Sequence, residues 1–113
     1  MAKYEAYLSG TFDELLQVIH NAVTTGSSSA TLEDASDVGA GDRRVAVRVY
    51  ERYSWLGGNR VSLSVTLVQT ENGVFVSAIA SGGSQAIFFK INTFGEEAFL
   101  NTLTSILDSY AIS

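Results

Sequence analysis

The stretch RRVAVRVYERYSWLGGNRVSLSVTLVQTENGVFVSAIAS, residues 43–81, decides the fold of this chain. Apolar and polar residues alternate along three segments of it, residues 43–55, 60–70 and 74–81. A period of two is typical of β-strands that have one buried face. Glycine and asparagine residues between the segments favour tight turns. We therefore predict a meander of three antiparallel strands.

The two predicted turns set which residues share a face of this meander. A three-residue loop at 57–59, which pairs Leu56 with Arg60, aligns the valines of the first segment with the apolar residues of the second. A two-residue loop would align those valines with serines and a threonine. Asn72-Gly73 is a preferred sequence for a two-residue type I′ turn. Together the turns predict one apolar face, formed by Val45, Val47, Val49, Tyr53, Trp55, Val61, Leu63, Val65, Leu67, Val76, Ala78 and Ala80.

Two amphipathic helices flank the meander. Thr11 and Glu14 have the spacing of a capping box, and apolar residues follow at helical spacing to about residue 25. Gly26 then suits a left-handed residue that ends the helix. Thr93 and Glu96 repeat the capping box ahead of a second apolar helical stripe. We predict helices that begin near residues 11 and 93.

Further strands are predicted outside the meander. Residues 3–8 alternate as a half-buried strand does, and residues 28–34 predict a second strand, followed by a solvated acidic loop at 37–42. Residues 86–91 are compatible with a short extra strand, although neither period nor length decides it. The order is then β-α-β-β-β-β-α, an α+β fold with an antiparallel sheet and two helices on one face. That order is similar to the TBP-like and helix-grip folds.

Composition narrows the class of protein. The 113 residues, 46% of them hydrophobic, suit a single domain over 1–113 with its own core. The chain has no cysteine and one histidine, His20, so thiolate and paired-histidine sites are excluded and we expect no metal and no cofactor. A net charge of −5 opposes binding to nucleic acid or anionic membranes. With no signal-like start and no long apolar run, we expect a cytoplasmic protein. Because no catalytic motif is present in the sequence, we also expect that it is not an enzyme.

The predicted registers leave one sheet face without a helix. Aromatic, aliphatic and arginine side chains together are typical of protein interfaces, so the leading hypothesis is a dimer or a protein partner at this face. An ordinary solvated face, or a face covered by residues 84–91, stays open as an alternative. The candidate residues are Arg48, Tyr50, Arg52, Val68, Phe75 and Ile79.

A small molecule is the alternative ligand. A cavity between the sheet and the C-terminal helix would hold an apolar metabolite, although the same side chains could simply fill the core. Its candidate lining is Tyr53, Trp55, Phe99 and Tyr110. An anionic metabolite would instead bind the arginines of the open face, near the hydroxyl groups of Ser62 and Ser64.

Three stretches resemble a known family: RVYERYS at 48–54, GGNRVSL at 57–63 and SGGSQAIFFKINTFGEE at 81–97. The chain is similar there to a family of short uncharacterised bacterial proteins, mainly of Firmicutes, classed as a domain of unknown function. The similarity covers nearly the full length. It implies a stand-alone bacterial cytoplasmic protein, and the family carries no catalytic residues to assign here.

Overall fold

The computed structural model describes residues 2–27, 29–54, 59–82 and 89–112. The predicted α+β class and element order are confirmed. The elements are β1 (Ala2–Leu8), α1 (Phe12–Gly26), β2 (Thr31–Ala40), β3 (Arg43–Ser54), β4 (Asn59–Thr70), β5 (Gly73–Gly82) and α2 (Phe89–Leu107), followed by one 3₁₀ turn (Asp108–Tyr110).

The five strands form one antiparallel sheet in the order β1-β5-β4-β3-β2. Strand β4 is central, and β1 and β2 are the edges. Both helices lie on the same face, with α2 over β1, β5 and β4, and α1 packed on α2 and β4. Strand β2 lies beyond the helices, and every one of its residues is exposed.

The core lies between the helices and the alternate residues of β4 and β5 that the sequence assigns to the apolar face. Small Ala78 and Ala80 are fully buried beneath the helix layer. Thr11 caps α1 as predicted, since its side chain accepts a hydrogen bond from the Glu14 amide at 3.1 Å. Gly26 is not left-handed; it lies inside α1, where a Cβ would meet the side chain of Thr102 on α2.

The predicted register between β3 and β4 is wrong. Tyr50 pairs with Leu63 and Tyr53 pairs with Arg60, so Arg60 is not available to Leu56; residues 55–58 lie outside the described part. This register turns Val45, Val47, Val49 and Tyr53 away from the helices. The physical reason is that the large Tyr50 side chain fills the space beneath α1 with no exposed surface.

The acidic segment 37–42 is mostly strand rather than loop. Strand β2 continues to Ala40, the turn is Gly41-Asp42, and a bulge at Glu33 offsets the pairing with β3. Backbone hydrogen bonding to β3 stabilises this segment as a strand, although its acidic residues and glycines favour turns.

Two other local predictions also change. Thr70 pairs with Gly73, so Glu71-Asn72 is the turn between β4 and β5, one residue earlier than predicted. The shift leaves each residue of β5 on the face of the sheet that the sequence predicts. The second helix begins at Phe89, so Thr93 is not its cap. The short strand left open at 86–91 does not form in its last three residues, which belong to α2, and its first three lie outside the described part.

Candidate functional site

The face of the sheet opposite the helices is called the open face. Pairing of the strands aligns its side chains in rows that cross the sheet. One row is apolar in all five strands and is called the apolar row. It consists, from β1 to β2, of Tyr7, Phe75, Val68, Val45 and Val38.

The apolar row is well exposed at both ends. Val38 is 66% exposed and Tyr7 is 57% exposed, and the other three side chains are half-buried. The rings of Tyr7 and Phe75 pack against each other with centroids 5.1 Å apart. A continuous apolar strip of this kind is typical of a surface that another protein covers.

The second row is more polar. It consists of Glu5, Ser77, Thr66, Val47 and Ser36. The Ser77 hydroxyl donates a hydrogen bond to the Glu5 carboxylate at 3.3 Å. Small hydroxyl side chains on the middle strands keep this part of the face flat, so a partner surface could approach it closely.

The third row carries opposite charges at its two ends. It consists of Lys3, Ile79, Ser64, Val49 and Asp34. Lys3 on β1 lies 3.9 Å from the carboxylate of Glu5, and Asp34 accepts a hydrogen bond from the Ala35 amide. Between them, Ile79 is 37% exposed. The row is therefore apolar in part and charged only at the sheet edges.

The end of the open face beyond this row is charged. Arg60 donates to the Glu51 carboxylate at 2.8 Å, and its guanidinium also lies 3.9 Å from Glu33. Tyr53 lies in the same row as Arg60 and is 48% exposed. Along the strands, the open face therefore changes from apolar at the apolar row to charged at the Arg60–Glu51 ion pair.

The residues predicted for this face divide between the two sides of the sheet. Val68, Phe75 and Ile79 lie on the open face as predicted. Arg48, Tyr50 and Arg52 lie on the helix-covered face instead, because the observed β3–β4 register has the opposite parity from the predicted one. This part of the prediction is wrong.

Tyr50 is a core residue with a polar contact to α1. Its hydroxyl is hydrogen-bonded to Nδ1 of His20 at 3.1 Å. Burial raises the pKa of Tyr50, and the positive charge of Arg48 opposes that shift. Tyr50 therefore anchors α1 to the sheet rather than facing a ligand.

The two arginines predicted for the open face, Arg48 and Arg52, make contacts within the protein. Arg48 pairs with Asp37 at 3.1 Å and donates to the Val47 carbonyl at 3.0 Å. Arg52 lies over the ring of Phe99, 4.8 Å from its centroid, and burial lowers the pKa of Arg52. The predicted anion site is not formed, because Ser62 and Ser64 lie on the opposite face of the sheet.

The predicted cavity lining is not brought together. Phe99 is fully buried in the core, whereas Tyr53 lies on the open face. Tyr110 packs partly against the core after α2, and Trp55 lies outside the described residues. The lining expected for a small molecule beneath the C-terminal helix is therefore wrong in its arrangement.

A shallow depression does lie at the β2 edge. Its volume is about 330 Å³, and it is lined by Asp34, Ala35, Ser36, Val47 and Val49. It adjoins the β2 bulge, which interrupts the regular pairing with β3. The depression therefore lies at the edge of the sheet where the pairing of β2 with β3 is irregular.

Sequence reasoning missed half of the open face. The alternation of residues 43–55 predicts that Val45, Val47 and Val49 are buried, and the acidic loop predicted at 37–42 includes Val38. What these residues share is that they align, one per strand, in rows across the sheet. That alignment can be recognised only when the registers of the strands are known.

Neither described helix is long and apolar enough to cross a membrane. Within the described residues, no three His, Cys, Asp or Glu side chains cluster as metal ligands would.

Comparison with known proteins identifies the family. A family model described as "Family of unknown function (DUF6054)" matches residues 1–111. The match confirms the resemblance noted in the sequence, while the Firmicutes origin stays a prediction. No curated protein and no solved structure matches the chain, so the likeness of its element order to TBP-like and helix-grip folds also stays a prediction.

Proposed function

We propose that this chain, which belongs to DUF6054, a family of unknown function, is a cytoplasmic, non-enzymatic protein that self-associates. The open face of its sheet is the interface. The occupant of that face is a second copy of the chain. The observation that carries this proposal is the apolar row, which crosses all five strands on the face opposite both described helices.

Physical chemistry of sheets supports a second sheet as the partner. An apolar sheet face is stabilised when it packs on another layer, and two sheets pack about 10 Å apart with interdigitating side chains. The open face combines β-branched, aromatic and small hydroxyl side chains, a mixture that suits such packing. On the open face, the smaller Ser64 of β4 lies between Val49 of β3 and Ile79 of β5.

The size of the face is compatible with a dimer interface. Five strands spaced about 4.8 Å apart, and three rows spaced about 6.8 Å apart, cover a patch of about 24 Å by 20 Å. Burying that patch on both copies removes roughly 1,000 Å² from solvent, which is about the smallest area expected of a biological interface.

Light scattering after size exclusion tests the proposal. We expect the wild-type protein to have twice the 12.1 kDa mass of one chain across micromolar concentrations. Ile79→Asp places a charge on the open face and should reduce the mass to that of a monomer. Ile106→Asp is the matched control, because Ile106 lies on α2 and is 43% exposed, close to the 37% of Ile79. Circular dichroism would verify that both variants are folded.

Two results would overturn the proposal. A wild-type protein that stays monomeric at all concentrations would exclude self-association and leave a small molecule as the next ligand to test. A dimer that Ile106→Asp dissociates while Ile79→Asp does not would move the interface to the helix layer.

A further inference from the structure

The symmetry of the dimer can be derived from the rows of the open face, an inference that rests on the proposed function. Homodimers are nearly always two-fold symmetric, so the same surface faces itself. For two sheets packed face to face, the two-fold axis lies between them and parallel to both. In an aligned packing of the two sheets it runs either along the strands or across them, and the two choices bring different residues together.

An axis along β4 keeps each row opposite the same row of the partner, with its order reversed. Val68 then faces its own copy, Phe75 faces Val45, and Tyr7 faces Val38, so apolar side chains meet throughout the apolar row.

The third row is also complementary about this axis. Lys3 faces Asp34, and Ile79 faces Val49. Lys3 and Asp34 lie at opposite edges of one sheet, so this axis makes two identical ion pairs at the two edges of the dimer. Side chains of this length can span two sheets about 10 Å apart.

An axis across the strands, through the second row, gives poorer contacts. Each residue of the apolar row then faces the third row of the same strand in the partner. Val38 would face Asp34, Tyr7 would face Lys3, and Glu5 would face its own copy. Charges would lie against apolar side chains or like charges, and both arrangements are unfavourable.

We infer that the two copies are related by a two-fold axis parallel to the strands along β4, with Lys3 of each copy paired to Asp34 of the other. The charges at the rim then select this orientation, while the apolar row supplies the contact area. The pairing also lets two chains of net charge −5 associate with an attractive contact at each edge.

Charge reversal tests the pairing in the full-length protein. Lys3→Glu and Asp34→Lys should each raise the dissociation constant of the dimer about tenfold, since each converts two attractive contacts into two repulsive ones. The double variant should return it to near the wild-type value, because the pair is restored in reverse. Analytical ultracentrifugation would measure the three constants. Single variants that dimerise as tightly as wild type, or a double variant no tighter than the singles, would overturn the pairing.

Cross-linking tests the axis independently. The chain has no cysteine, so a single introduced thiol reports its own position. Val68→Cys should cross-link to its copy with a short bifunctional maleimide, and Ser77→Cys should not, because Ser77 faces Val47 about the proposed axis. Ser77 faces its own copy only if the axis runs across the strands. A dimer cross-linked at Ser77→Cys and not at Val68→Cys would refute the axis and leave self-association intact, whereas a monomeric wild type would refute the proposed function itself.

Discussion

Replacement of two tyrosines three residues apart on β3 distinguishes the observed register from the one that the sequence predicts. In the structure Tyr50 is fully buried beneath α1, and Tyr53 is about half exposed on the open face. The sequence-based register reverses these roles. Tyr50→Ala should therefore destabilise the protein far more than Tyr53→Ala does.

The magnitude follows from burial. Removing a fully buried aromatic side chain costs about 3 to 5 kcal/mol of the free energy of unfolding, through lost transfer energy and the cavity left behind. Tyr53 keeps much of its surface in water, so its truncation should cost about 1 kcal/mol or less. Since a domain of this size is stable by roughly 5 to 15 kcal/mol, Tyr50→Ala removes a large part of the total.

Urea denaturation followed by circular dichroism is the assay. With a slope of about 1.5 kcal/mol per molar urea, Tyr50→Ala should lower the midpoint by about 2 to 3 M and Tyr53→Ala by less than about 1 M. If Tyr50→Ala does not fold, Tyr50→Phe is the second variant. It removes only the hydrogen bond to His20 and should cost about 1 kcal/mol.

The comparison has a clear refuting result. A larger loss for Tyr53→Ala than for Tyr50→Ala would show that the predicted register is right and the observed one wrong. Equal, small losses for both would refute the burial of Tyr50. Measurement at several protein concentrations separates these effects from dimer dissociation, which makes the midpoint depend on concentration.

Three further predictions concern the cap, a turn and the pH dependence of stability. Thr11→Ala should lower the free energy of unfolding by about 1 kcal/mol in urea denaturation, because the first turn of α1 loses its side-chain acceptor, and an unchanged midpoint would contradict the cap. Gly39→Ala should cost more than about 2 kcal/mol, since its φ is +87° and a Cβ would collide with the Arg43 carbonyl. The control Gly41→Ala, with φ +62° and open space around it, should cost about 1 kcal/mol, and equal losses would contradict the collision. Because the pKa of Tyr50 is raised in the folded state, its contribution to stability is complete below about pH 10 and is lost as the pH rises above that value. Thermal unfolding between pH 9 and about 11 should therefore show a shallower decline for Tyr50→Phe than for wild type, and parallel declines would contradict the role of burial.

The candidate site illustrates how one register changes a functional hypothesis. The sequence-based open face combined Tyr50 with Phe75 and two arginines, which suggested either a protein interface or an anion site. In the observed register the two arginines lie on the helix-covered face, and the valines of β3 lie on the open face. The anion site disappears, and the expectation of an apolar interface becomes stronger although only Val68, Phe75 and Ile79 of its predicted residues remain.

The misplacement of β3 has a physical cause. Counting apolar residues favours the face that contains Val45, Val47 and Val49, because burial of aliphatic side chains is the main driving force of folding. The count does not foresee that arginine side chains can line a helix-covered face. Arg44 lies over the ring of Phe12, 4.4 Å from its centroid, and Arg52 lies over Phe99 in the same way. The guanidinium groups stack on the aromatic rings, and that of Arg44 also pairs with the carboxylate of Asp13 at 2.8 Å.

The sequence by itself determined the local features of this protein, and the tertiary structure decided how they are aligned. Periodicity and the Thr11 cap specify the strands, the first helix and the α+β order, because these depend on residues a few positions apart. The registers of β2 and β3 depend on how Tyr50 packs beneath a helix thirty residues away in sequence and on where a bulge falls. Only the assembled sheet places one apolar residue per strand in a single row, which is why the apolar row is visible in the structure and not in the sequence.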